Sequence, residues 1–124
     1  MHKNLLSILI ILFGFQTIIA QKKQDFKVIT VAFYNLENLF DTVNDPITFD
    51  DDRTPDGKDH WTEEKYNDKL KNMAYVINQI GAKVAQTSPA ILGVAEIENI
   101  KVLEDLVNQP LLQEQNYGIV HFDS

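Results

Sequence analysis

Two polar side chains stand where apolar stretches of the chain end. Asn35 follows the stretch Lys27–Tyr34, and Glu96 lies near the end of Pro89–Asn99. An amide oxygen and a carboxylate are ligands that suit Mg²⁺, which usually takes one or two carboxylates together with substrate phosphate. We therefore consider Asn35 and Glu96 as ligands of a divalent cation. From spacing alone, ordinary strand-end hydrogen bonding and helix capping is the commoner explanation for such a pair.

Both stretches have the composition of strands in a parallel sheet. The first is rich in β-branched and aromatic residues, and the second is almost continuously apolar, which is typical of a strand buried on both faces. Ligands of parallel α/β sheets bind beyond the carboxyl ends of the strands, where Asn35 and Glu96 fall. Strict alternation places Glu96 on the same face as Leu92 and Val94. We therefore expect a cation, a basic partner or water at the strand end to compensate its charge.

A helix is predicted between the two strands, over residues 62–80. Thr62 is a suitable N-cap and Gly81 a suitable left-handed stop. Apolar residues recur at helical spacing at Tyr66, Leu70, Met73, Ile77 and Ile80. A strand, a crossover helix and a second apolar strand form a βαβ unit, whose strands are parallel.

The rest of the chain continues the alternation of helices and strands. Asn99 is predicted to cap a shorter helix with an apolar face at Ile100, Leu103, Leu106 and Val107, which Pro110 ends. Tyr117–Phe122 has the composition of a third strand. The predicted fold class is therefore α/β with the element order β-α-β-α-β.

The loop at residues 42–60 is long for a compact domain, and such loops are often functional. Its acidic residues raise the possibility of a calcium site, because the ligand spacing of a calcium-binding helix-loop-helix is approached by Asp52, Thr54, Asp56, Gly57 and Glu63. The match is poor, since Pro55 stiffens the loop and no helix precedes Asp52. A solvated acidic loop is the favoured interpretation.

Several other charged residues are expected to be structural. Glu98 is interpreted as a charge near the start of the second helix, where it favours the helix dipole. Glu37 and Asn38 could assist Asn35. Lys65, Lys69 and Lys71 are expected to form a solvated helix face. The two histidines beyond the N-terminal segment are also expected to be structural, because the chain has no cysteine and no Ser/His/Asp set.

The first twenty residues are predicted to be a secretory signal peptide. Lys3 supplies a positive start, Leu5–Ile19 is apolar, and Ala20 is a plausible cleavage point, with residues 21–26 as a short leader. The protein is then secreted or periplasmic, without stable membrane association after cleavage. An uncleaved anchor is the alternative, although the apolar run is short for a spanning helix.

Composition narrows the binding partners of the chain and the forces that hold its fold together. The chain has 124 residues, a net charge of −7 and no cysteine. The negative charge disfavours broad electrostatic adhesion to nucleic acid or to anionic membranes. Without disulfides, the fold must be held by core packing alone. These features describe one small globular domain, and they do not predict its oligomeric state.

The apolar stretches and their polar ends resemble the endonuclease/exonuclease/phosphatase superfamily. The resemblance is carried by Val31–Asp41 (VAFYNLENLFD), the Asp-rich loop, the Trp61 helix and Ile91–Asn99 (ILGVAEIEN), and it covers residues 27–124. In that superfamily the first strand ends in an Asn, and the next motif ends in a Glu that binds the catalytic Mg²⁺. Ala95 stands where the family more often has Gln.

This resemblance implies a fold and a function. The fold would be the N-terminal part of a two-sheet α/β sandwich of the deoxyribonuclease I-like type. The function would be hydrolysis of a phosphodiester or phosphomonoester, with nucleic acid among the candidate substrates and Mg²⁺ or Mn²⁺ as cofactor. Asn35 and Glu96 would be the catalytic and metal-binding residues.

The base and the phosphate-binding His residues of the family lie in a second half whose motifs this chain does not contain. We therefore expect residues 27–124 to be an incomplete, truncated domain of this type. Two alternatives stay open: an inactive fragment that acts as a binding module, and a secreted calcium-binding module.

Overall fold

The computed structural model describes residues 26–122. The predicted signal peptide and nearly all of the leader lie outside the described residues. The elements, in chain order, are β1 (Val31–Leu39), a 3₁₀ turn (Asp51–Arg53), α1 (Glu63–Gln79), α2 (Ala82–Ala85), β2 (Ile91–Ile97), α3 (Ile100–Val107) and α4 (Pro110–Gln113). Among residues 26–122, no helix has the length and apolar character needed to cross a membrane.

The predicted βαβ unit is confirmed. β1 and β2 pair in parallel, with Val31 opposite Ile91 and Asn35 opposite Ala95. The register is then interrupted and resumes where Leu39 lies opposite Ile97. α1 connects the two strands in sequence, so the carboxyl ends of both strands lie at the same edge of the sheet.

The crossover helix forms where the sequence predicts it. The Thr62 side chain accepts a hydrogen bond from the Lys65 N–H, and Gly81 is left-handed at φ 73°. Four of the five predicted apolar positions are buried, and the core of the described residues consists of Leu36, Leu39, Tyr66, Leu70, Met73, Ala74, Ile77, Val102, Leu103, Leu106 and Leu112. Full burial of each large side chain stabilises the fold by about 1.5–3 kcal/mol.

Only one face of the sheet is covered in the described part of the chain. Leu92 and Val94 pack against the helix core. On the opposite face Val31, Phe33 and Ile91 are 65%, 71% and 61% exposed. The described residues therefore form two layers, with helices on one side of a two-stranded sheet.

Several predicted boundaries were wrong. β1 begins at Val31 rather than Lys27 and continues to Leu39, because its pairing with β2 starts at Val31 and resumes at Leu39. The shorter helix ends at Val107, and Pro110 begins α4 instead of closing α3. Proline suits that position, since its missing N–H is not needed in the first turn of a helix.

The predicted apolar face of α3 was also partly wrong. Val102 is fully buried, whereas Ile100 is 46% exposed. Ile100 is the first residue of the helix, so it lies beyond the edge of the core. The predicted cap is confirmed, because the Asn99 side chain accepts from the Val102 N–H.

The third strand predicted at Tyr117–Phe122 does not form within the described residues. The segment is held by side chains instead, since the Tyr117 hydroxyl donates to the Pro89 carbonyl and Ile119 packs against the core. Val120 and Phe122 are each 85% exposed. The predicted sandwich and the β-α-β-α-β order are therefore not seen in residues 26–122.

Candidate functional site

Asn35 and Glu96 are in direct contact at the carboxyl ends of β1 and β2. The Asn35 Nδ2 group donates a hydrogen bond of 2.6 Å to Glu96 Oε1. The parallel register explains this proximity, because Asn35 pairs with Ala95, the residue before Glu96. The structure brings the two residues together, while their roles as ligands stay a prediction.

Glu96 does not lie on the buried face of its strand, so that prediction was wrong. Leu92 and Val94 are half-buried, whereas Glu96 is exposed. The reason is local: Glu96 has a left-handed backbone with φ 59°, which breaks the alternation of side chains. Its charge therefore needs no buried partner, because water and the Asn35 amide solvate it.

A left-handed bulge follows Asn35 and holds its amide oxygen. Glu37 and Asn38 have φ values of 52° and 57° and lie where the register of β1 is interrupted. The Glu37 N–H donates to Asn35 Oδ1 at 2.7 Å. The Asn35 amide is thus fixed from both sides, with its oxygen toward Glu37 and its nitrogen toward Glu96.

Lys69 of α1 supports this bulge. Its ammonium donates to the carbonyl oxygens of Glu37 and Asn38, at 2.5 and 3.0 Å, and lies 5.5 Å from the centre of the Trp61 ring. Burial lowers the pKa of Lys69. The predicted solvated face is wrong for Lys69, which is half-buried, whereas Lys71 is exposed.

A second carboxylate, Glu98, makes a contact that the sequence did not predict. Its Oε2 accepts the Asp41 N–H at 2.8 Å, which ties the end of β2 to the segment after β1. Burial raises the pKa of Glu98 to about 7, against the lowering effect of that hydrogen bond, and the charges of Asp41 and Asp50 raise it further. Glu98 also lies two residues before the start of α3, so its favourable effect on the dipole of that helix stays a prediction.

The acidic loop does not assemble a calcium site. Thr54 donates to the Asp51 carbonyl, and the Glu63 carboxylate accepts from the Thr42 hydroxyl. Among residues 26–122, no group of three or more His, Asp or Glu side chains is placed to hold a metal ion. The solvated-loop interpretation holds for Asp51, Asp52 and Asp56, which are exposed, but not for Asp50, which is 3% exposed.

Asn35 and Glu96 fit a hard divalent cation as a small oxygen donor set. Glu96 is exposed, and within the described residues only its Oε1 atom accepts a hydrogen bond. Mg²⁺ keeps several waters and needs only one or two protein carboxylates when it also binds phosphate. The Asn35 oxygen accepts the Glu37 N–H with one of its two lone pairs, and its Nδ2 group donates to the Glu96 carboxylate.

The sequence indicated that Glu37 and Asn38 could assist Asn35, but it predicted neither the bulge that they form nor the contact of Lys69 with it. Asn38 carried a weak signal, because Asn tolerates the left-handed region better than most residues do. Lys69 carried none, since a lysine on a helix surface is ordinarily solvated. Its contact with the bulge follows from how α1 packs on the sheet.

The sequence model of the endonuclease/exonuclease/phosphatase family matches residues 30–124 of the chain. The matched region contains every strand and helix of the described residues, together with the Asn35–Glu96 pair. No curated protein matches the chain, and no solved structure matches it.

Proposed function

The chain belongs to the endonuclease/exonuclease/phosphatase family, and from that premise we propose that it contributes Glu96 and Asn35 to metal-dependent hydrolysis of a phosphoester. Enzymes of this family hydrolyse phosphoester bonds and typically depend on a divalent metal. The observation that carries the proposal is the 2.6 Å contact between Asn35 and Glu96, at the edge of the sheet where ligands of parallel strands bind.

The proposed roles follow from the charge and hydrogen bonding of each side chain. Glu96 supplies an exposed carboxylate that would hold Mg²⁺ or Mn²⁺, and Asn35 keeps that carboxylate in one orientation through its Nδ2 donor. When bound, the cation neutralises charge on the phosphate and on the departing oxygen. Direct ligation by the Asn35 oxygen is also proposed, through the lone pair that the Glu37 N–H does not use.

The pair supplies binding and orientation, and it does not include a base that activates water. We therefore assign that step, and the remaining metal ligands, to groups outside the pair. The substrate is proposed to be a phosphodiester or phosphomonoester, with nucleic acid as one candidate. Export through the signal peptide at residues 1–20, to a secreted or periplasmic location, is part of the same proposal.

The test replaces the Glu96 carboxylate with an amide of the same shape. Glu96→Gln retains an oxygen that can accept from Asn35 but removes the charge, so we expect Mn²⁺ affinity to fall by about 10- to 100-fold. Electron paramagnetic resonance measures the free Mn²⁺, and metal-dependent hydrolysis of bis-p-nitrophenyl phosphate measures turnover. Glu104→Gln, an exposed glutamate on α3, is the matched control.

The outcomes separate the remaining alternatives. If Glu96→Gln binds Mn²⁺ as tightly as the unchanged chain, the site assignment is wrong. If the unchanged chain binds Mn²⁺ through Glu96 but hydrolyses nothing, the inactive binding module left open by the sequence becomes the better description.

A further inference from the structure

We propose that Lys69 is a positioning residue that fixes the orientation of the Asn35 amide and, through it, the Glu96 carboxylate. The link to metal binding rests on the proposed function, whereas the structural step can be tested without any metal. In the described residues Lys69 forms no hydrogen bond with Asn35 or Glu96. It acts through the bulge, whose carbonyl oxygens it binds.

The first step is the convergence of two backbone carbonyls on one ammonium group. The Glu37 and Asn38 oxygens lie 2.5 and 3.0 Å from Lys69 Nζ. Both residues are left-handed, a conformation that costs energy for side chains other than glycine. A cation that bonds both carbonyls offsets that cost. It also removes the repulsion between two carbonyl dipoles that are directed at the same point.

The second step passes from the bulge to the site. The Glu37 N–H belongs to the same bulge and donates to Asn35 Oδ1 at 2.7 Å. An N–H group can bond only the oxygen of the amide, so it fixes which end of Asn35 faces Glu96. Turning the amide over would place its oxygen against the Glu96 carboxylate and its nitrogen against the Glu37 N–H.

The third step is the fixation of Lys69 itself. Its ammonium lies 5.5 Å from the Trp61 ring centre, and the Trp61 Nε1–H donates to the Phe40 carbonyl at 3.0 Å. Trp61 therefore contacts both the lysine and the chain just after the bulge. The nearby charges of Glu37 and Glu96 favour the ammonium, while that of Arg53 opposes it.

The test compares Lys69→Met with Lys69→Arg in the full chain. Methionine keeps the unbranched stem that packs beside Trp61 but cannot donate, whereas arginine can donate to both carbonyls. The exposed Lys71→Met on the same helix is the matched control. Metal-free samples are measured by NMR, which reports hydrogen exchange of the Glu37 amide and the side-chain amide resonances of Asn35.

We expect Lys69→Met to speed exchange of the Glu37 amide at least about tenfold, with exchange in β2 unchanged, and to shift the Asn35 side-chain signals. Lys69→Arg should keep most of the slow exchange of the Glu37 amide and of the original Asn35 signals. Lys71→Met should change neither the exchange nor the signals. Unchanged Glu37 exchange and Asn35 signals in Lys69→Met would overturn the proposal. So would equally faster exchange throughout β2, because Lys69 would then support the fold in general.

Mn²⁺ affinity separates positioning from plain electrostatics. Removing a positive charge near Glu96 should by itself tighten cation binding, whereas loss of positioning should weaken it by about tenfold. Weaker binding by Lys69→Met than by Lys71→Met supports the proposal, and equal or tighter binding overturns its link to the metal. If the unchanged chain binds no Mn²⁺, the proposed function fails, and the exchange measurement still decides the role of Lys69.

Discussion

Two glutamates only two residues apart have opposite surroundings. Glu96 is exposed beside Asn35, whereas Glu98 is half-buried and has a pKa raised to about 7 by its burial. The left-handed backbone at Glu96 separates them, because without it the two side chains would share one face of the strand. One residue's φ angle therefore decides which carboxylate meets solvent and which ties the loop after β1 to β2.

Tyr66 shows a comparable dependence of chemistry on burial. It is 5% exposed, and its hydroxyl donates to Asp105 Oδ2 at 2.8 Å. Burial and the hydrogen bond to Asp105 raise the pKa of Tyr66 well above its ordinary value of 10.0. The folded protein therefore holds this proton at a pH where the unfolded chain releases it.

The sign of the pH effect follows from linkage. A raised pKa contributes stability that is fully present below about pH 10 and is lost as the pH rises above it, by up to about 1.4 kcal/mol per pH unit. Tyr66→Phe should therefore flatten the decline of the free energy of unfolding between about pH 9 and 11. Urea unfolding at several pH values measures the slope.

Tyr75→Phe is the control, because Tyr75 is 59% exposed on the same helix. Part of the slope should persist in Tyr66→Phe, since burial also raises the pKa of Tyr117. A slope equal to that of the unchanged protein would contradict the assignment to Tyr66.

At the scale of elements, the end of α1 is set by one close approach. Gly81 is left-handed at φ 73°, and an added Cβ would lie 2.1 Å from the Thr30 hydroxyl oxygen. The turn therefore brings the helix end against the residue that precedes β1. A larger residue would disturb both the helix stop and the start of the strand.

Gly81→Ala should lower the free energy of unfolding by about 1–3 kcal/mol, through the strained φ and the overlap with Thr30. Urea denaturation measures the change. The control is Gly118→Ala, because a Cβ at Gly118 meets no atom within 4 Å and its φ is not left-handed. Equal losses in the two variants would contradict the explanation.

The sequence predicted α1 and the parallel pairing of β1 with β2, but not the turns of the backbone at the strand ends. α1 was foreseen because Thr62, the apolar period and Gly81 all indicate the same helix. The contact of Asn35 with Glu96 was foreseen because parallel strands end at one edge of a sheet. The bulge at Glu37 and Asn38 was not foreseen, and its contact partner Lys69 lies 31 residues or more away in sequence.

Strand composition was also an incomplete guide. Tyr117–Phe122 has the residues of a strand, yet within the described residues it finds no pairing partner. Whether a segment pairs depends on which sheet edges reach it, and that is a property of the tertiary structure. The exposed position of Glu96 has the same origin, because alternation holds only while the backbone stays extended.

At the scale of the whole molecule, the outer face of the sheet is an exposed apolar surface in the described part of the chain. Val31, Phe33 and Ile91 are exposed side by side on the two paired strands. Contiguous exposed apolar side chains promote association, although the net charge of −7 opposes it. The described residues should therefore bind apolar dyes more strongly than an ordinary surface does.

Replacing Val31 and Phe33 together by Thr should lower the fluorescence of bound anilinonaphthalene sulfonate. The free energy of unfolding should change by less than about 1 kcal/mol, because threonine keeps the strand preference and both side chains are already solvated. Dye titration and urea unfolding measure the two effects. The core variant Leu36→Ala should instead lower the free energy of unfolding by about 2–5 kcal/mol. An unchanged dye signal in the double variant would contradict the prediction.

The left-handed backbones of Glu37, Asn38 and Glu96 have a consequence for any attempt to improve this protein. The two glutamates each store roughly 1 kcal/mol or more in this conformation, and Asn38 stores less because Asn tolerates it better. A directed-evolution campaign that rewards heat resistance alone would therefore favour glycine at these positions, and at position 96 it would discard the carboxylate. Such a campaign should instead select for ligand binding and thermal tolerance together.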